Sequence, residues 1–324
     1  MHNNILLVGC GDMAVAYAKV LSDLRAPFDV IGRGEVSCAS FASRTGVVPL
    51  AGGVERAAAD GHVAHDAAII AAPIDQLAAI TRQLIAAGVR RILVEKPAGL
   101  NPAEIAESAR LAAEHHAAVF IAYNRRFYAS TRKAREMLAA DGGVTSFYFE
   151  FTEWAHEIRK LPLPPAVKKE WFLANSSHVC DLAFFLGGLP KVLTAHVQGS
   201  LDWHPSGAQF AGCGVSRTGA LFSYHSNWES AGRWGVELCT AKRRLYLRPL
   251  ETLQEQLRGE LALKPVTFDD RLDKEFKPGL HAQTRAFLQH PEGDDGLLAL
   301  DDHARIVSRF YRQVAPGYVP SAHD

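Results

Sequence analysis

The segment that most constrains the fold is GCGDMA, residues 9–14, a GxGxxA motif that directly follows the apolar run 5–8. Glycines at these positions allow a tight turn and a close approach of a ligand to the backbone, and the following helix N-terminus offers amide donors to an anion. The motif therefore predicts a strand, a turn and a helix that bind the pyrophosphate of a dinucleotide. The residues assigned to this contact are Gly9, Gly11, Asp12, Met13 and Ala14.

Strand and helix patterns alternate through the first third of the chain. Apolar runs of strand length fall at 28–31, 67–72 and 92–94, and alanine-rich segments with high helix propensity lie between the later ones. Such alternation is typical of a parallel sheet covered by helices on both faces. We therefore predict an α/β fold that begins with a Rossmann domain, a doubly wound parallel sheet, over residues 1–123.

The pattern changes after residue 123, where polar and apolar residues begin to alternate. This alternation is typical of a half-exposed antiparallel sheet. It occurs at 145–152, 220–228, 235–239 and 244–247. We predict a second α/β domain over residues 124–324, with a large, mostly antiparallel open sheet and with final helices at 280–289 and 301–314.

Composition narrows the class of partner. A chain of 324 residues, 48% of them hydrophobic, is long enough for two packed cores. The 35 basic and 35 acidic residues balance, so bulk charge favours neither nucleic acid nor an anionic membrane, and a small molecule is the expected partner. No apolar run reaches about 18 residues and no signal segment opens the chain, so we expect a cytoplasmic protein without a membrane anchor. Five scattered cysteines without CxxC spacing predict neither a disulfide framework nor a metal site.

The end of the second predicted strand decides between the two nicotinamide cofactors. About 20 residues past the glycines, an NAD-binding chain usually places an acid on the ribose hydroxyls. Here the sequence reads VIGRGE over residues 30–35, and Arg33 occupies that place. A guanidinium suits a 2′-phosphate by charge and geometry, which predicts NADP; the alternative is NAD, with Glu35 on the ribose. We also assign Ala72 and Pro73 to the cofactor site.

The tripeptide Glu95-Lys96-Pro97 follows the strand predicted at 92–94. Ligands of open α/β sheets bind outside the carboxyl ends of the strands, so Lys96 is expected to reach the nicotinamide end of the cleft. A lysine there can hydrogen-bond a hydroxyl or carbonyl oxygen and transfer its proton. We assign Glu95 and Lys96 to the cofactor site; the alternative is an exposed lysine that pairs with Glu95.

The combination of motifs resembles the Gfo/Idh/MocA oxidoreductase family. GxGxxA, EKP, the pentapeptide YNRRF at 123–127 and a histidine followed three residues later by aspartate occur in the family's order along essentially the whole chain. The resemblance implies NAD(P)-dependent oxidation or reduction of a sugar or related alcohol. It also implies a homodimer or homotetramer formed through the open sheet, and catalytic roles for Lys96 and His178.

One departure from the family pattern concerns the segment ANSSHVCD, residues 174–181. Many relatives carry an aspartate four residues before the histidine, where this chain has Ala174. The remaining polar neighbours, Asn175, Ser176 and Ser177, do not titrate near neutral pH. Lys96 and His178 must therefore divide the proton transfer, or one must orient the substrate while the other acts.

The stretches at 123–130, 147–157 and 175–188 are similar to a subgroup found with bacterial surface-polysaccharide enzymes, which implies a nucleotide-activated or modified sugar as substrate. The substrate contacts assigned on this basis are Asn124, Arg125, Arg126, Trp171, Asn175 and Asp181. Two other functions stay open: a glycosidase that uses bound nicotinamide for transient oxidation, and a non-catalytic NADP-binding redox sensor. Glu153 is close to these segments, but the sequence does not place it.

Overall fold

The computed structural model describes residues 4–290 and 296–316. Its strands are β1 (Ile5–Val8), β2 (Phe28–Gly32), β3 (Leu50–Ala51), β4 (Ala67–Ile70), β5 (Arg91–Glu95), β6 (Ala118–Ala122), β7 (Ser146–Glu150), β8 (Pro190–Gln198), β9 (Gln209–Ser216), β10 (Leu221–Asn227), β11 (Gly235–Cys239), β12 (Arg243–Leu247), β13 (Gln254–Leu257), β14 (Lys264–Pro265) and β15 (Leu298–Ala299).

The α-helices are α1 (Asp12–Asp23), α2 (Glu35–Thr45), α3 (Gly53–Ala59), α4 (Leu77–Ala86), α5 (Pro102–Glu114), α6 (Ala129–Ala140), α7 (Ala155–Ile158), α8 (Pro165–Lys169), α9 (Ser177–Gly187), α10 (Arg271–Glu275), α11 (Leu280–Gln289), α12 (Leu300–Ile306) and α13 (Arg312–Val314). Short 3₁₀ turns occur at Ile74–Gln76 and Asn124–Phe127, and π-helical turns at Phe172–Ser176 and Val307–Tyr311. No described helix combines the length and the apolar composition that a membrane span requires.

The chain forms two compact units. One comprises the described residues of Met1–Asn124 and Leu272–Arg305, and the other those of Arg125–Arg271 and Ile306–Asp324. The first unit thus includes a late segment, with α11 and β15, that the sequence analysis grouped with residues 124–324. This segment belongs there physically because α11 packs on α1 and β15 pairs with β6.

The first unit contains a sheet with the strand order β15-β6-β5-β4-β1-β2-β3. The pairs among β1 to β6 are parallel, and only the edge strand β15 runs antiparallel. Strands β1 and β4 are buried along their whole length, which explains why they read as continuous apolar runs. The predicted parallel Rossmann sheet is confirmed, and its strand order brings the carboxyl ends of β1, β4 and β5 side by side.

The second unit contains an eight-stranded sheet with the order β14-β13-β12-β11-β7-β10-β9-β8. Every pair in it is antiparallel except β7 with β10, so the predicted large, mostly antiparallel sheet is confirmed. Helix α9 packs on one face through Phe184, whose ring meets Phe147, Phe149 and Phe222 edge-on at 5.4–6.4 Å. This aromatic layer fixes the helix that carries His178.

Candidate active site

A cavity of about 710 Å³ lies in the first unit at the carboxyl ends of β1, β2 and β4. Seven of the residues assigned to the cofactor from the sequence line it: Gly9, Gly11, Asp12, Met13, Arg33, Ala72 and Pro73. Ala14 is instead fully buried inside α1, and neither Glu95 nor Lys96 is among the lining residues. The structure therefore gathers the glycine motif and Arg33 around one cavity.

The two motif glycines serve different needs. Gly9 has a φ of 124°, and a Cβ there would lie 2.2 Å from the carbonyl oxygen of Ala71, so only glycine lets β1 pass the end of β4 this closely. A Cβ on Gly11 would meet nothing within 4 Å. Gly11 therefore leaves open space in front of α1.

Helix α1 begins at Asp12 with Gly11 as its N-cap, and no side chain caps the first amides. The Asp12 carboxylate turns to Arg44, whose Nη1 lies 2.8 Å away. Uncapped amides and the positive end of the helix dipole attract an anion. The cavity, the space at Gly11 and this helix end together fit the pyrophosphate of a dinucleotide.

Arg33 lies immediately after β2 and is exposed at the cavity. Its Nη1 donates a hydrogen bond to Oε1 of Gln76 at 3.4 Å. Ser37, in the first turn of α2, also lines the cavity, whereas Glu35 does not. Ser37 was not predicted, because a serine in a first helical turn carries no distinctive sequence signal.

Lys96 is held in place by contacts to both of its neighbours. The Tyr17 hydroxyl donates to Oε1 of Glu95 at 3.0 Å, and His303 Nε2 donates to the carbonyl oxygen of Pro97 at 3.0 Å. Burial raises the pKa of Glu95, while Lys96 and Tyr17 oppose the shift. Ala98, just beyond, has a φ of 70°, a strained conformation for a residue with a Cβ. These contacts fix the loop at the carboxyl end of β5.

In the second unit, Arg126 and Asp181 form a buried ion pair. Arg126 donates through Nε at 2.8 Å and through Nη2 at 2.6 Å to the two carboxylate oxygens, and both side chains are less than a tenth exposed. The Arg126 guanidinium also lies 4.6 Å from the ring centre of Phe185. The two predicted substrate contacts thus bind each other and tie Asn124–Phe127 to helix α9.

His178 lies in the first turn of α9, and its side chain is almost fully buried. Its imidazole ring is 6.2 Å from the ring of Trp234. Two guanidinium groups stack on the same indole, Arg125 at 4.7 Å and Arg233 at 4.8 Å from its centre. The surroundings of His178 are therefore aromatic and cationic, and burial lowers the pKa of Arg125.

Glu153, just past β7, is a buried acid that binds the segment containing Ala174. It is 2% exposed, and its Oε1 accepts hydrogen bonds from Asn175 Nδ2 at 2.9 Å and Ser176 Oγ at 2.8 Å. Arg233 Nη1 lies 3.4 Å from Oε2. Burial raises the pKa of Glu153, and these three partners oppose the shift. Sequence reasoning named Glu153 without placing it, and it missed Arg233 and Trp234, because these residues come from strand ends far apart in the chain.

The remaining predicted substrate contacts lie elsewhere. Asn124 donates through Nδ2 to the carbonyl oxygen of Pro278 at 2.9 Å, within the first unit. Trp171 is buried in the second unit, where it packs edge-on to Trp203 with ring centres 6.3 Å apart. Within residues 4–290 and 296–316, no group of three or more His, Cys, Asp or Glu side chains is arranged to hold a metal ion.

The fold and the cavity define a dinucleotide-binding α/β protein. Residues 3–123 match the family model of the Gfo/Idh/MocA oxidoreductases, described as an oxidoreductase family with an NAD-binding Rossmann fold. This match confirms the resemblance drawn from the motifs. The matched residues therefore form an NAD-binding Rossmann fold of the kind found in that oxidoreductase family. No curated protein gives a significant sequence match.

Solved structures share the fold over the whole chain. UDP-N-acetylglucosamine 3-dehydrogenase from Acidithiobacillus ferrooxidans aligns with a TM-score of 0.73 and 16% identity, covering 97% of both chains. Levoglucosan dehydrogenase in complex with NADH and L-sorbose gives 0.75 and 16%, covering 96% of both. A putative NADPH-dependent oxidoreductase from Desulfitobacterium hafniense gives 0.77 and 16%, covering 97% of this chain and 95% of the other. At this identity the likeness establishes the fold.

Proposed function

We propose that the protein is an NADP-dependent dehydrogenase or reductase that acts on a hydroxyl or keto carbon of a sugar. The observation that carries the proposal is the position of Lys96. It stands at the carboxyl end of β5, on the same edge of the parallel sheet as the glycine loop after β1, with only β4 between them. Ligands of such sheets bind at this edge, so a titratable amine there is placed for reaction chemistry.

The choice of NADP is supported by the end of β2. When bound, the cofactor supplies or accepts a hydride at its nicotinamide ring. Gly9, Gly11 and the first turn of α1 would hold its pyrophosphate. Arg33 and Ser37 would hold a 2′-phosphate through a guanidinium and a hydroxyl, both of which line the cavity, whereas Glu35 does not.

We assign the proton transfer of the reaction to Lys96 and His178. In the oxidative direction one of them removes the proton of the reacting hydroxyl, and the other donates a hydrogen bond to the same oxygen. We assign the acid–base role to His178 and the orienting role to Lys96. The contacts of Glu95 and Pro97 support this role, because a fixed loop presents the Lys96 amine in one place.

The substrate class proposed is a nucleotide-activated sugar. Arg126 is bound by Asp181, so we assign the contact with a phosphate or carboxylate to Arg125 and to Arg233, which pairs with Glu153 but is half exposed. Their stacking on Trp234 holds both in place. UDP-N-acetylglucosamine, which the structurally similar dehydrogenase is named for, is the first substrate to test.

The experiment compares Lys96→Ala with the wild-type enzyme. The enzyme is first screened with NADP⁺ and UDP-N-acetylglucosamine or related nucleotide sugars, following absorbance of the reduced nicotinamide. With a substrate in hand, Lys96→Ala is expected to lose about 10²–10⁴-fold in kcat, because an acid–base or orienting group has been removed. Cofactor affinity in calorimetry should stay unchanged, since Lys96 does not line the cavity.

The matched control is Lys19→Ala. Lys19 is an exposed lysine of the same unit, and its amine donates a hydrogen bond to the carbonyl oxygen of Glu275. This variant should turn over like the wild type. Near-normal turnover of Lys96→Ala would refute the proposal. Cofactor that stays bound during purification, with products formed but no net redox change, would favour the glycosidase instead. Cofactor binding without turnover of any sugar would favour the redox sensor.

We also propose that copies of the chain assemble through the outer face of the second sheet. Val192 and Leu221 are 55% and 62% exposed there, and both are cross-strand neighbours of Val215. Together with the half-buried Val215, they form an apolar row across β8, β9 and β10. A contiguous apolar row on an open sheet is a surface that another copy can cover.

A further inference from the structure

Glu153 is a buried carboxylate that the proposed chemistry leaves without a role. An ionised carboxylate held out of water costs several kcal/mol unless it is paired and hydrogen-bonded, so its retention needs a reason. Its partners come from two places, the π-helical turn Phe172–Ser176 and the loop after β10 that carries Arg233. Both sets of partners connect Glu153 to His178.

The first route is through the backbone. Oε1 of Glu153 accepts from Asn175 and Ser176, the last two residues of the π-helical turn. Helix α9 begins at the next residue, and His178 is its second. A π-helical turn carries one residue more than an α-helical turn and is frequently found at functional sites. The carboxylate therefore fixes the end of the turn two residues before His178.

The second route is through the side chains. Oε2 of Glu153 pairs with Arg233 at 3.4 Å, and Arg233 stacks on Trp234, whose ring lies 6.2 Å from the His178 ring. Arg125 stacks on the same indole. Glu153 thus supplies negative charge against the two guanidinium groups that stack on the indole next to His178.

We infer that Glu153 is a positioning residue for His178, which supplies from the end of β7 the acid that position 174 lacks. It fixes the entry into α9 and balances the charge around the imidazole. The inference rests on the proposed function, because it takes His178 as the acid–base group. The charged groups around this arrangement are Arg125, Arg233, Glu251, Asp181 and Arg126. Of these, Asp181 and Arg126 form an ion pair with each other.

The charges around His178 determine the direction in which its titration midpoint should move in each variant. Replacing Glu153 by glutamine keeps an oxygen for Asn175 and Ser176 but removes the negative charge, so Arg233 and Arg125 act on the imidazolium unopposed. The titration midpoint of His178 should then fall, by about half a pH unit or more. Arg233→Gln removes a positive charge instead, so the midpoint should rise.

The measurement is an NMR titration of protein labelled with carbon-13 at histidine Cε1. The His178 signal is assigned by its loss in His178→Gln, and its midpoint is compared among the wild type, Glu153→Gln and Arg233→Gln. The titration needs no substrate, so it can succeed or fail independently of the proposed function. A fall in Glu153→Gln together with a rise in Arg233→Gln supports the inference.

The matched control is Asp141→Asn. Asp141 is also a buried acid of the second unit, but Arg243 and Thr240 hold it at the far end of β11 and β12. This variant should lose stability and leave the His178 midpoint unchanged. An unchanged midpoint in folded Glu153→Gln would overturn the inference. If that variant does not fold, Arg233→Gln decides alone, because its side chain is half exposed and its loss is tolerable; an unchanged midpoint there overturns the inference too.

Discussion

Arg125 and Arg126 are adjacent and have the same side chain, but they make different contacts. Arg126 makes a bidentate pair with Asp181, whereas Arg125 stacks on Trp234. The sequence predicts two arginines near a substrate, but not which of them a distant aspartate binds. The glycines are different: the φ of Gly9 and its approach to Ala71 are local requirements that the motif itself encodes.

Arg33 gives the residue-scale test of the cofactor. Calorimetric titration of the cofactor-free protein should show tighter binding of NADPH than of NADH, because Arg33 and Ser37 line the cavity where we propose that the 2′-phosphate binds. Arg33→Ala should weaken NADPH binding about 10–100-fold, which corresponds to the loss of one or two charge-assisted hydrogen bonds, and leave NADH binding nearly unchanged.

Arg44→Ala is the control for that experiment, since Arg44 pairs with Asp12 and does not line the cavity. It should keep the preference for NADPH. Equal or tighter binding of NADH to the wild type, unaltered by Arg33→Ala, would contradict the assignment and move the ribose contact to Glu35.

At the scale of elements, the sequence predicted strands best where every residue of the strand is buried. β1 and β4 are buried throughout, so their apolar runs were unmistakable. Strand β9 was missed because Gly212 and Gly214 interrupt its pattern. A Cβ on Gly214 would lie 2.0 Å from the carbonyl oxygen of Val192, so the neighbouring strand requires the glycine that hides β9 from sequence reasoning.

The π-helical turn gives the element-scale prediction. Ala174 is 2% exposed within Phe172–Ser176, so an acid introduced there has no water to solvate it, and it adds a second negative charge next to residues that already bind the Glu153 carboxylate. We expect Ala174→Asp to lower the free energy of unfolding by about 3 kcal/mol in urea titrations followed by fluorescence. Ala174→Ser adds a small polar group without charge and should cost less. Wild-type stability of Ala174→Asp would show that the turn accepts an acid at the family's position.

At the scale of the whole molecule, the sequence predicted both sheets but not how the chain is distributed between the compact units. Periodicity reports whether a segment is a helix or a strand. It does not report which sheet the segment joins, because that depends on contacts such as Phe120 with Phe287 and Arg91 with the His290 carbonyl. Glu153 was unplaced for the same reason, since its partners are 22, 23 and 80 residues away along the chain.

Assembly is the whole-molecule prediction. Light scattering after size-exclusion chromatography should give the mass of two or four chains. Leu221→Lys combined with Val192→Lys should shift the mass toward one chain, because both lysines interrupt the apolar row on the outer face. Leu261→Lys, at a leucine of the second unit that is 96% exposed outside this row, should leave the mass unchanged. An unaltered mass in the double variant would place the interface elsewhere.

The first unit includes the late segment Leu272–Arg305, and this affects how the protein folds during its synthesis. Synthesis delivers Gly9, Arg33 and Lys96 early, yet β15 and His303, which pair with β6 and hold Pro97, are synthesised about 200 residues later. The nascent chain must therefore carry an unfinished sheet edge while Arg125–Arg271 of the second unit is translated. A fragment that stops at residue 124 would stay at that unfinished stage, so a ribosome-bound chain should fix the Lys96 loop only near the end of translation.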